Sequence, residues 1–289
     1  IIALTLIFAA VPLATAVTID IKWLGGSGTW STSENWSTDS LPGGNSNTQI
    51  DPLNSFNVTV NVDTAATTTN LTIGTNDTVS VANTRSLTFD PQSATASIVL
   101  NAGSSLALNS AGNATSLVFA DGTTTASGSG TIDLNNKSNN LITGSGAATL
   151  INQTTIQGAG QLSANSLIVN NQGTIAALYA TTRVFDPSAS ADGLNSGTLK
   201  AASGGLLQLI NGEINNTSGT ALADNGGQVE LSGITLAGSG SIHLSGQNNN
   251  RIYGQNTATT LTNSSGHTIR GYGQIGINQL LLQNSGTIE

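Results

Sequence analysis

The chain has 289 residues, of which 8% are charged and 4% aromatic, and Gly alone supplies 34. So little charge among so many turn formers excludes a helical bundle or an ordinary α/β enzyme core and points to turn-rich all-β architecture. Seven basic residues against fifteen acidic ones give a formal charge of −8 with no Lys/Arg cluster, so no nucleic-acid partner is expected.

The chain opens with IIALTLIFAAVPLATA, an apolar run interrupted by Pro12 and closed by Ala14-Thr15-Ala16. That is the form of the apolar region and cleavage site of a secretory signal, so residues 1–16 are expected to be a signal peptide whose basic leading segment is missing before Ile1. The run is too short and too Pro-broken to span a bilayer, and no other stretch approaches ~18 apolar residues, so no membrane span is expected. The expected location is extracellular or at the cell surface. Cysteine is absent, which removes disulfides, thiolate zinc sites and cysteine nucleophiles together.

Residues 17–62 contain all three Trp residues, Trp23, Trp30 and Trp36, within WLGGSGTWSTSENW. Their ring faces could stack on sugars. They could instead cover the open first coil of a solenoid, and this N-terminal aromatic cap is the expectation.

From Asp63 onward, short apolar touches recur: Leu71/Ile73, Val79/Val81, Leu87/Phe89, Ile98/Leu100 and Leu106/Leu108. Each places two apolar side chains on one face with a polar residue between, which is the period of a half-buried strand. Phe89-Asp90-Pro91 returns as Phe185-Asp186-Pro187, with Arg85 and Arg183 shortly before. Asp-Pro starts turns and Pro removes a ladder donor, so both copies mark strand ends with Phe turned inward. An Arg-Phe-Asp binding patch is the functional alternative.

The second half repeats the first. GSGTIDLNNKSNNLITG, residues 128–144, is answered by GSGSIHLSGQNNNRIYG, residues 238–254, and the stretch ending at Ile175 by the stretch ending at Ile288. Residues 128–175 thus match 238–288 at offsets of 110 to 113, with insertions confined to polar turns. Within this super-repeat the apolar touches come every six to nine residues, and three make a coil of roughly 20–25 residues, the range of stacked solenoid repeats. Residues 63–289 are therefore expected to form a right-handed parallel β-helix (β-solenoid), and the mature chain from Val17 to hold about nine to eleven coils, a rod near 45–50 Å long at about 4.8 Å per coil.

The motif N-x-G-T-I/L appears at Asn171, Asn195 and Asn284. It reads as a corner: Asn in a left-handed conformation with its amide paired to the Asn one coil up, Gly for the bend, then a branched residue turned inward. Chemistry is scarcer. A P-loop, G-x-S-x-G and H-E-x-x-H are all absent, and His243 and His267 lie far from any carboxylate cluster. Gly204-Gly205 and Gly226-Gly227 lack the Asp that a calcium-binding G-G-x-G-x-D repeat requires. The acids stand singly, at Asp121, Asp133, Asp186, Asp192 and Asp224. No residue is assigned a catalytic, cofactor-binding or metal-ligating role, and no cofactor is expected.

The opening W-x-G-G-S-G-x-W-S-x-x-x-N-W, the segment NLTIGTNDTVSVANTRSLTF and the N-x-G-T-I/L and T-I-x-G-x-G-Q units resemble secreted bacterial β-solenoid surface proteins. These are the adhesin-like passengers of autotransporters and of surface proteins with a PEP-CTERM sorting signal. The resemblance implies surface display with adhesion or matrix building, the partner being a polysaccharide, a host or neighbouring cell surface, or other copies of the chain. The alternatives are a polysaccharide lyase or hydrolase on the same scaffold and a self-assembling surface fibre.

Overall fold

The computed structural model describes residues 18–51, 57–92, 94–188, 193–202, 204–246 and 248–289; the expected signal peptide lies outside them. Apart from one short turn of 3-10 helix at Ser33–Asn35, the regular structure among them is β-strand, stacked into a parallel solenoid.

Each coil contributes strands to three parallel ladders. The first contains twelve strands in unbroken succession, from Gly28–Thr29 to Thr287–Ile288, which makes about eleven coils. Its inward column reads Val60, Val79, Leu106, Ile132, Ile156, Ile175, Leu199, Ala221, Ile242, Ile269 and Ile288. Coils vary in length: Val60 to Val79 is 19 residues and Val79 to Leu106 is 27. Ile132 to Ile242, Ile156 to Ile269 and Ile175 to Ile288 are each five steps along this column, so the super-repeat corresponds to five coils.

The second ladder begins at Ala66–Thr68 and the third at Ile19–Lys22. The two merge along Leu206–Asn215 and Gln228–Ala237, ten-residue strands that cross both faces. Alternation governs all three ladders, and the inward side chains form one continuous core from Ile21 to Ile269. Each buried Ile or Leu contributes about 1.5–3 kcal/mol by leaving water. In place of disulfides, stability accumulates coil on coil.

All three Trp rings are buried. Trp36 meets Trp23 and Trp30 edge-on, each pair with ring centroids 4.8 Å apart. The indole N–H of Trp36 donates to the Trp30 carbonyl at 2.9 Å, and that of Trp23 to the Gly26 carbonyl at 2.9 Å. The backbone N–H groups of Trp23 and Trp30 donate to Gln49 and Asn61, which seats the cluster on the first coil. No indole face is left for a sugar. The strands Ser46–Ile50 and Thr59–Val62, inside the Trp-rich 17–62 segment, already belong to the stack.

The Asn corners differ from expectation in one respect. Their amides do pair between coils: Asn152 Nδ2 donates to Asn171 Oδ1 at 2.7 Å, Asn171 to Asn195 at 2.7 Å and Asn195 to Asn216 at 2.6 Å. None of Asn171, Asn195 and Asn284, nor Gly173, Gly197 and Gly286 after them, is left-handed. Close approach explains the glycine instead. A Cβ on Gly173 would lie 2.1 Å from the Thr154 carbonyl oxygen, and one on Gly197 would lie 2.1 Å from that of Gly173.

Candidate interaction face

The longest uniform feature on the surface is a column of hydroxyls on the first ladder. Each strand places a Thr or Ser just before its first inward residue. In register these are Thr59, Thr78, Ser105, Thr131, Thr155, Thr174, Thr198, Thr220, Ser241, Thr268 and Thr287. The first ten are half-buried at their bases and Thr287 is exposed. A β-branched residue fits the pleated sheet, and its hydroxyl faces outward once per coil, at about 4.8 Å spacing.

The neighbouring outward column is mixed: Asp133, Gln157, Ala176, Lys200, Leu222, His243 and Arg270 follow one another in register. Asp133 accepts hydrogen bonds from Gln157 Nε2 at 2.6 Å, Ser105 Oγ at 2.7 Å and Thr131 Oγ1 at 2.6 Å. All its strong contacts are to neutral neighbours on the sheet. Lys200 Nζ reaches Asp224 at 2.7 Å, and Ser245 Oγ donates to the same carboxylate at 2.6 Å. Those two donors hold the Asp224 pKa below the usual carboxylate range. A shallow depression of about 260 Å³ lies beside Asp133, between Gln157 and Tyr179.

The second ladder carries a cluster that sequence reading missed. Gln208, Glu230 and Tyr253 stand in register on three successive coils, with Gln208 Nε2 and the Tyr253 hydroxyl both donating to Glu230. Arg251 Nε donates to Gln274 at 3.0 Å one coil further on. Burial and the Glu230 carboxylate push the Tyr253 pKa up to about 12, against a smaller opposing pull from Arg251. The phenol therefore stays protonated at neutral pH and serves as a donor. The signal was available in the spacings of 22 and 23 residues, one coil each, between residues 208, 230 and 253.

The Arg-Phe-Asp patch does not form. Phe89 and Phe185 are buried, Phe89 stacking on Phe119 with centroids 5.5 Å apart. Both strands end at the Phe, as expected. The two arginines part company: Arg85 is exposed, whereas Arg183 is wholly buried. His243 is half-buried on the outer face and His267 lies in the interior. Among the described residues no group of three or more His, Cys, Asp or Glu could hold a metal ion. Asp192, one of the scattered acids, lies outside the described residues.

Among the described residues no helix is long and apolar enough to cross a membrane. No family model, no curated protein and no solved structure matches the chain.

Proposed function

We propose that this chain is a non-catalytic, secreted or surface-displayed β-solenoid of the adhesin-like kind. Its first face holds a polysaccharide, or a polysaccharide-coated neighbouring surface, through many weak hydrogen bonds. The observation that carries the reading is the unbroken column of eleven hydroxyls, one per coil, on a single parallel ladder. A single exposed hydroxyl holds a sugar weakly, but repetition along a rigid face raises the effective concentration of each successive contact. The apolar run at residues 1–16 and the motif resemblance to autotransporter passengers and PEP-CTERM surface proteins support secretion and display.

The lyase or hydrolase alternative rests on Glu230, Tyr253 and Arg251. A proton-abstracting base works best with a pKa near the operating pH, and a phenol pushed up to about 12 is far from that. One experiment separates the readings. The chain and a variant with Thr155, Thr174 and Thr198 all changed to Val are incubated with a panel of neutral and acidic polysaccharides, with and without calcium. Retention by a neutral or acidic polymer, lost in the Val variant while melting is unchanged, is the expected result. Steady release of reducing ends or unsaturated products, abolished by Glu230→Gln or Tyr253→Phe, would overturn it in favour of an enzyme.

A further inference from the structure

His267 stands where the interior amide ladder lacks an amide. From Asn152 to Asn216 each Nδ2 donates to the Oδ1 of the next coil, and the ladder resumes with Asn263 Nδ2 donating to Asn284 Oδ1 at 2.7 Å. Between these two runs lies one coil with nothing to offer. Asn215 pairs with Ala237, so the residue above Asn216 is Gly238, which has no side chain. Asn263 stands opposite Leu236, one inward position back, so the column also changes track there.

The imidazole of His267 fills the gap. It is fully buried, with Nε2 at 3.1 Å from Asn216 Nδ2 and Nδ1 at 2.7 Å from Asn263 Oδ1. An amide Nδ2 can only donate, so Nε2 must accept, and the proton must sit on Nδ1 to meet Asn263 Oδ1. The neutral Nδ1–H tautomer is thus the one form that continues the ladder in the same donor-to-acceptor sense. A second proton would set Nε2–H against the Asn216 amide hydrogens inside a dry core. Nothing nearby would offset that charge. The titratable groups on the strands packed around it, Glu213, Asp224, Glu230, His243 and Arg270, all occupy outward positions, and Glu289, after the last strand, is exposed.

We propose that neutral His267 is the link joining the two halves of the amide ladder, and that its protonation breaks the ladder between Asn216 and Asn263, loosening the coils beyond Gly238 in mild acid. Burial alone acts on its proton affinity and lowers its pKa below the ordinary 6.5. The sign follows from that direction. A folded-state value below the unfolded one means the stabilisation is complete above about pH 6.5 and is lost as the pH falls from there through the folded value.

The test compares the intact chain with H267Q, whose amide can accept from Asn216 and donate to Asn263 without titrating, and with H243Q as the surface control. Thermal melts are followed between pH 7.5 and 5, together with ¹⁵N chemical shifts of the two imidazoles. The expected result is a loss of several degrees for the wild type and H243Q across this range, a smaller loss for H267Q, and Nδ1–H shifts for His267 at pH 7.5. If H267Q fails to fold, the shifts of the wild type decide alone. An Nε2–H tautomer, a doubly protonated His267 at pH 7.5, or equal acid losses in H267Q and wild type would overturn the proposal.

Discussion

Replacing Arg183 with Leu should make the protein more stable. The side chain is fully buried, and none of its three guanidinium nitrogens has a hydrogen-bond partner among the described residues. Burial alone pushes its pKa from 12.5 down to about 9. At ~1.4 kcal/mol per tenfold change in proton affinity, that drop corresponds to roughly 5 kcal/mol held against the charged form at neutral pH. In register, Arg183 lies between Gly160 and Leu207, and Val229 and Ile252 continue the column, so Leu would extend an apolar row already in place. The shorter side chain forfeits packing worth about 1–2 kcal/mol. The net expectation for R183L is a gain of roughly 3–4 kcal/mol, read as a higher urea midpoint at pH 7. Because the folded-state value lies below the unfolded one, the wild-type penalty is complete below about pH 9 and recedes as the pH climbs towards 12.5. The gap between the two proteins should therefore narrow at pH 10. A variant destabilised by more than about 2 kcal/mol would refute the reasoning and mean that a partner holds the guanidinium.

Ile242→Asp should cost several kcal/mol by placing an unpaired charge between Ala221 and Ile269, whereas His243→Ser on the outer face should stay within about 0.5 kcal/mol; equal melting shifts would contradict the strand phase. Gly197→Ala forces a Cβ to within 2.1 Å of the Gly173 carbonyl oxygen and should cost roughly 1–3 kcal/mol, while Gly26→Ala, with nothing within 4 Å, should be neutral by the same denaturation assay. Trp36→Ala removes the ring that both other indoles contact and should cost about 3–5 kcal/mol, with Trp fluorescence shifting red as Trp23 and Trp30 gain water.

Much of the fold was legible because a solenoid writes its core locally. Each strand shows its two inward residues side by side in sequence, as Ile132 and Leu134 do, and a period of two needs no long-range information to read. The Asn pairing was legible for the same reason, since Asn171 and Asn195 sit in the same motif one coil apart. The reason for the motif glycine was not. Whether Gly173 is required by a positive φ or by the Thr154 carbonyl depends on how closely two coils approach, and a single coil's sequence does not contain that distance. The burial of Arg183 was not legible, because inward polarity is rare and Arg85 in the matching motif is exposed; the two copies share residues but not phase. The Gln208, Glu230 and Tyr253 cluster and the role of His267 lie across coils of unequal length, so they surface only once register is known.

The five-coil repeat separates what stacking requires from what a surface is free to vary. Inward, the copies agree: Asn152 and Asn171 are matched by Asn263 and Asn284, and both pairs make the same amide bond at 2.7 Å. Outward, Asp133 is matched by His243, Gln157 by Arg270 and Leu141 by Arg251, so charge is not kept from one copy to the next. The hydroxyl column is the exception, an outward feature as constant as the core. Thr has a structural motive for being there, since branching at Cβ suits the pleat, but Val would satisfy that motive equally and does not occur at any of the eleven positions. What the Val-for-Thr comparison isolates is therefore the hydroxyl itself. With strand propensity nearly unchanged, an altered polymer retention reports on binding, and an altered melting temperature would instead assign the hydroxyls to the stability of the stack.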